Sequence, residues 1–273
     1  MENFENLTNR LYQTRLDPSK DIQLPPTLLS IRDYSATQSF DKSIFTLGDL
    51  SLIQGRQKSK KTFFTSAICV SILNEYAFID KLSPAPPKDT TIAIFDTEQS
   101  DYYAQITNRR IANMSGTQNY YYFALRDSDP KERREIIECF LYSHKKKISY
   151  ILIDGIVDLL YDFNDLKECS ELVQWVMKIT KEYNVHCSCI LHENNSDGKA
   201  RGHVGTMLAQ KAETVLKIEK NTSQPSRSTI TGIDTRGVGF HPFDIEIIDG
   251  LPYLVESLEK KNLLWQEKNY LRH

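Results

Sequence analysis

The sequence lacks the features that would place it outside the cell or in a membrane. Its 273 residues contain no apolar run near the roughly 18–20 residues of a membrane-spanning helix. The first ten residues, MENFENLTNR, hold no apolar signal core. Disulfide frameworks are also missing: cysteines at 69, 139, 169, 187 and 189 are odd in number and form no C-x-x-C pair. They read as reduced, mostly buried thiols, with Cys187 and Cys189 facing the same side of a strand, so a cytoplasmic protein without membrane contact is expected. Strong charge of either sign is absent too. A formal net charge of −2 excludes a chain that binds nucleic acid by bulk composition, although Arg56 to Lys61 and Lys145 to Lys147 are local basic clusters. No internal repeat is visible. What remains is ordinary globular material, 40% hydrophobic, enough for one large domain or two small ones.

One further absence is a single residue. Residues 53–64 read IQGRQKSKKTFF. The phosphate-binding pattern G-x-x-x-x-G-K-[ST] is met by Gly55, Lys61 and Thr62, but Lys60 stands where the second glycine belongs. A loop between a strand and a helix offers backbone N–H groups and a helix N-terminus to an anion. In that frame Gly55, Arg56, Gln57, Lys58, Ser59, Lys60, Lys61, Thr62 and Phe63 cradle the phosphates of ATP. Lys61 brings charge to the β- and γ-phosphates, and Thr62 gives its hydroxyl to Mg²⁺. A side chain at position 60 costs about 1 kcal/mol or more if the loop needs a backbone shape that glycine adopts freely, little beside what a charged nucleotide supplies. The competing reading of the segment is a basic surface turn.

The rest of the chain alternates. FTLGDLSLIQG, TIAIFDTE, NYYYFAL, ISYILIDGI and VHCSCILHE read as strands, with helical periodicity between them. KLSPAPPKD reads as a loop whose three prolines forbid regular structure. After a glycine-rich loop, TVLKIEK, STITGID and FDIEII alternate as antiparallel strands do. The expected organisation is an N-terminal arm over 1–42, partly ordered, an α/β domain over 43–256 with a mostly parallel doubly wound sheet, and a tail over 257–273. Polar groups fall where core strands end: Gly55, Asp96 to Glu98, Asp154 and His192. That is the edge at which such sheets bind ligands. Asp154 follows apolar residues as a Walker B aspartate does and is a candidate for holding Mg²⁺ through water. Glu98 is the candidate for polarising a water, and His192 for sensing the γ-phosphate. The plain readings are a turn-capping aspartate, a helix-start acid and a structural histidine.

In this order GRQKSKKTFF, FDTEQS, YILIDGIVDL, ILHENNSDGKARGHVGT and DTRGVGF resemble the RecA-like ATPases, over about residues 45–250. The branch they look most like is the hexameric replicative helicases of the RepA and DnaB kind, with the related AAA-family ATPases of bacterial mobile elements. The resemblance implies a RecA-like fold and a ring of copies, a hexamer. It makes Glu98 the water-activating acid, Asp154 the Walker B residue and His192 the strand-end sensor. It makes residues 194–206 a loop toward single-stranded DNA, with Lys199, Arg201 and His203 as its contacts. Arg236 would be an arginine finger reaching a neighbour's γ-phosphate, although Asp234 replaces a lysine common two residues before it. That loop has no aromatic residue, so weak, salt-sensitive, sequence-independent binding is expected. Primase, nuclease and zinc motifs are missing, so priming or targeting is left to replication or mobilisation partners. The rival readings are a catalytically weak RecA-like DNA-binding or regulatory module with a degenerate phosphate loop, and a small-molecule P-loop kinase, the latter opposed by the lack of an arginine-rich lid.

Overall fold

The computed structural model describes residues 2–34, 38–144, 147–193 and 202–255. Chain order gives helix α1 (Glu2–Thr14), then strands β1 (Thr27–Tyr34), β2 (Ser39–Thr46) and β3 (Leu50–Gly55). Helix α2 (Lys61–Asn74), strands β4 (Leu82–Pro84) and β5 (Thr91–Asp96), and helix α3 (Asp101–Ser115) follow. Next come β6 (Tyr121–Ala124), α4 (Pro130–Ser143), β7 (Ile148–Asp154), a 3₁₀ turn (Ile156–Leu159), α5 (Leu166–Tyr183) and β8 (His186–His192). The last elements are α6 (Gly202–Lys211), β9 (Thr214–Lys220), β10 (Arg227–Thr235), β11 (Phe243–Ile248) and β12 (Leu251–Val255).

The main sheet has nine strands in the order β12-β11-β10-β9-β3-β8-β7-β5-β6. From β9 to β6 the neighbours are parallel, while β9, β10, β11 and β12 pair antiparallel. The apolar run of β7 is buried along its whole length, as a strand covered on both faces must be. One apolar layer gathers α2 and the β1–β2 hairpin, and a second gathers α4, α5 and α6. Local signals set the helix ends. Asp129 caps α4 by accepting from the N–H groups of Lys131 and Glu132, with Pro130 in the first turn. Gly116 ends α3 with φ 68°, its N–H returning to Ala112 O. Cys187 and Cys189 are buried on β8 with sulfurs 3.8 Å apart.

The N-terminal region holds regular structure. The expected boundary at residue 42 falls inside β2, and Leu28, Leu29 and Ile31 of β1 are fully buried. The prolines of KLSPAPPKD do not prevent pairing. Residues Leu82 to Pro84 join β1 as an edge strand, where a missing N–H is tolerated. This small sheet, β2-β1-β4, is pinned by buried Asp33, which meets Lys42 Nζ at 3.1 Å, Lys81 Nζ at 3.2 Å and His241 Nδ1 at 2.7 Å. Burial alone would raise its pKa, but these donors outweigh it and hold Asp33 far below the usual carboxylate range. The proposed tail over 257–273 lies outside the described residues. Among the described residues no helix is long and apolar enough to cross a membrane.

Candidate functional site

The parallel register lines the polar strand ends up. Gly55 pairs with His192, and Asp96 pairs with Asp154, so β3, β8, β7 and β5 deliver their last residues to one edge. The segment between β3 and α2 folds as a loop with Lys58 at φ 60° and Lys60 at φ 71°. Gly55 is required by close approach: a Cβ there would lie 2.4 Å from Ile218 O of β9.

Lys60 occupies the left-handed conformation that the usual glycine adopts freely, and its carbonyl accepts the first helical bonds from Phe63 and Phe64. Its Nζ donates to the carbonyl of Pro225 in the β9–β10 turn. A left-handed side-chain residue costs about 1 kcal/mol, and one such hydrogen bond returns a similar amount. Lys60→Gly is therefore expected to unfold in urea within about 1 kcal/mol of the unaltered protein. Lys60→Val puts a β-branched side chain into that region without the anchor, and a loss of about 2 kcal/mol is expected. Equal stability of the two variants would contradict this account of the loop.

Lys61 opens α2 and is nearly buried, 6% exposed. Its ammonium donates to Gly55 O at 2.9 Å and Arg56 O at 3.1 Å, and meets His192 Nδ1 at 3.0 Å. An ammonium has no lone pair, so Nδ1 accepts and the imidazole proton sits on Nε2. His192 Nε2 then donates to Glu98 Oε2 at 3.1 Å. The three side chains form one line from the phosphate loop to the turn after β5. Burial lowers the pKa of Lys61, opposed by Asp154, Glu98 and Glu193. For Glu98 burial acts upward, but the hydrogen bond from His192, with the charge of Lys61, keeps it below the ordinary glutamate value.

Asp154 ends β7 at 8% exposed, and among the described residues no donor bonds to its side chain. Burial, then Asp96 and Glu98, push its pKa up to about 8. Thr97 and Gly155 complete the floor. The Thr97 hydroxyl lies 2.8 Å from Asp154 O and 2.9 Å from Asp158 Oδ2. Gly155 has φ 94°, and a Cβ on it would stand 2.4 Å from Thr97 Oγ1. Arg133 ties this floor to the β6–α4 connection, donating to the carbonyls of Leu125, Arg126 and Asp158. Gly155, Asp158 and Arg133 are not legible in the sequence as members of the site, because their partners are tertiary.

The remaining candidates lie apart. Lys199 and Arg201 are outside the described residues, and His203 is exposed in the first turn of α6. Arg236 follows β10 at the opposite edge of the sheet, pairing with Asp49 at 2.7 Å and donating to Lys211 O. It does not join Gly55, Lys61, Thr62, Glu98, Asp154 and His192. A cleft of about 440 Å³ lies between α3 and β6, lined by Asn108, Arg109, Tyr120 and Tyr122, beside the loop rather than in it.

The residues fit a magnesium nucleotide. A glycine at a close approach, a lysine bonded to two loop carbonyls, a helix-start threonine and a strand-end aspartate to which no described residue donates are the donor set such a ligand uses. Among the described residues no three His, Cys, Asp or Glu side chains gather as a metal cage. Fold and edge together define a class: a mostly parallel α/β sheet with an anion loop at its carboxyl edge and an antiparallel extension, which is the RecA-like fold. No protein-family model matches the sequence, and no curated protein is similar to it. Among solved structures the chain is similar to the RadB recombinase seen in a crystal structure. The TM-score is 0.53 and the identity 16%, over 78% of this chain and 93% of that one.

Proposed function

We propose that the protein binds and hydrolyses Mg-ATP and uses it to act on DNA, as a helicase of the RepA replicative or mobilisation kind. The observation that carries this is the continuous Lys61–His192–Glu98 line with Asp154 beside it at one strand edge. On this reading residues 55–63 cradle the phosphates, Lys61 leaves its loop carbonyls for the β- and γ-oxygens, and Thr62 and Asp154 hold Mg²⁺. When bound, Mg²⁺ neutralises phosphate charge. Glu98 orients and polarises the attacking water, and His192 reports the γ-phosphate to it. Phosphate drawing Lys61 away also frees Nδ1 of His192, so the state of the loop is passed to Glu98 along a hydrogen-bonded path.

Arg236, 61% exposed on its side chain and at the far edge, serves a neighbouring copy's site in a ring, a hexamer. Lys199, Arg201 and His203 contact single-stranded DNA without sequence preference. The RadB recombinase likeness supports the fold beneath this reading. The left-handed Lys60 favours a working loop over a degenerate one, since the backbone keeps the shape a glycine would give it. Steady-state ATP hydrolysis with Mg²⁺, with and without single-stranded DNA, tests the proposal. DNA-stimulated turnover is expected. Its absence at concentrations that permit assembly would leave a RecA-like DNA-binding module.

A further inference from the structure

Asp96 is fully buried at the end of β5, and three of the four hydrogen bonds its carboxylate accepts come from the turn that carries Glu98. Oδ1 accepts from the N–H groups of Glu98 at 3.1 Å and Gln99 at 2.9 Å. Oδ2 accepts from Gln99 Nε2 at 2.6 Å and from the hydroxyl of Tyr122 at 2.7 Å. All four donors are neutral, and among the described residues no cation reaches Asp96. Two donors belong to the Glu98–Gln99 backbone, one to the Gln99 side chain, and the fourth crosses from β6. Tyr122 is in register with Ile94 on the marginal strand, two residues before the level of Asp96. Burial and the neighbouring Asp96 hold its phenol protonated well above the ordinary tyrosine range, so it remains a donor.

We propose that Tyr122 and Asp96 are positioning residues that set the place of Glu98, an inference resting on the catalytic reading of Glu98 given above. Glu98 is fixed at two points, its N–H by Asp96 and its carboxylate by His192. Take away the phenol, and a buried carboxylate loses a quarter of its donors. The deficit falls on the partners that remain, chiefly the two backbone N–H groups of the turn. A nucleophile-activating acid needs its place held within about half an ångström, so loosening this turn lowers the chemical step while leaving the phosphate loop intact.

The test is Tyr122→Phe, which keeps the ring, with Asp96→Asn as the second variant. Amide hydrogen exchange at Glu98 and Gln99 is read by NMR beside ATP turnover and fluorescent-nucleotide binding. Exchange at these two amides is expected to quicken about tenfold, with the interiors of β5 and β6 unchanged. Turnover is expected to fall about 5- to 20-fold while nucleotide affinity stays within about twofold. In a Glu98→Gln background Tyr122→Phe is expected to add nothing further. Unchanged exchange overturns the proposal, whatever turnover does. So does faster exchange with undiminished turnover, or a loss seen equally in the Glu98→Gln background. If Glu98→Gln itself keeps full turnover, the catalytic role of Glu98 has failed, and with it the purpose assigned to the turn, even where exchange still reports Asp96 and Tyr122 as its anchor.

Discussion

Glu98→Gln is expected to bind ATP as tightly as the unaltered protein and to hydrolyse it at least about 100-fold more slowly. The geometry separates the two effects. Glu98 touches His192, not the loop, and His192 Nε2–H can donate to the amide oxygen of the variant as it does to Oε2. The Lys61–His192 contact is therefore retained, and the phosphate cradle with it. What the amide lacks is charge and basicity. In the unaltered protein the carboxylate is kept below the ordinary glutamate value, so at neutral pH it is ionised and ready to polarise a water. Lys61→Ala is the contrasting variant. It removes the charge from the loop and is expected to weaken nucleotide binding as well as turnover. Equilibrium binding of a fluorescent ATP analogue beside a phosphate-release assay reads both. Near-normal hydrolysis by Glu98→Gln would move the catalytic role elsewhere.

Asp154→Asn is expected to be the more stable protein and the poorer enzyme. Asp154 is buried at a strand end without a donor among the described residues, and its pKa is raised from 3.8 to about 8. Below pH 3.8 the folded and unfolded chains are both protonated there, and the residue costs nothing. Between 3.8 and about 8 the unfolded chain ionises while the folded one keeps its proton. Stability from this group therefore falls as pH rises, and the loss is complete above about 8. An asparagine has no such titration. Urea unfolding should find the two proteins alike near pH 4 and the variant ahead by about 2 kcal/mol or more at pH 8. The same substitution removes the carboxyl group that Mg²⁺ would bind by displacing its proton, so magnesium-dependent turnover is expected to fall sharply. Stability given up at a working site is the common pattern. A variant less stable than its parent at pH 8 would mean that Asp154 is held by a partner after all.

Which parts were legible in the sequence follows from the range of the interaction. The order of strand, loop and helix around Gly55 and the apolar run of β7 are local signals, and both elements lie where the sequence indicates. So are the strand-end positions of Glu98, Asp154 and His192, because strand and helix alternate with short links. The pairing of Ile31 with Leu82 is not local, and nothing near either residue announces it. Asp33 gathers Lys42, Lys81 and His241 from three separate segments. Position 60 shows a different limit. A lysine there signals a broken motif, yet the backbone is left-handed all the same, held by Pro225 from a turn 165 residues away. Tyr122 reads from the sequence only as part of the strand NYYYFAL. Its hydroxyl acquires a purpose only when β6 lies beside β5.

Arg236 and the loop after Gly55 stand at opposite edges of one sheet, separated by the length of β3, roughly 17 Å. If Arg236 serves a neighbour, one edge meets the other: a two-fold pair would complete both of its sites at once, while a head-to-tail contact builds a row. An open stack leaves one loop without an arginine at one end and one arginine without a loop at the other. With n copies in a row, n − 1 sites are complete, so turnover per chain should climb with length as (n − 1)/n and reach its limit only when the ends join. A dilution series of hydrolysis rate against particle mass would then distinguish a closed ring from a growing filament without any image of either.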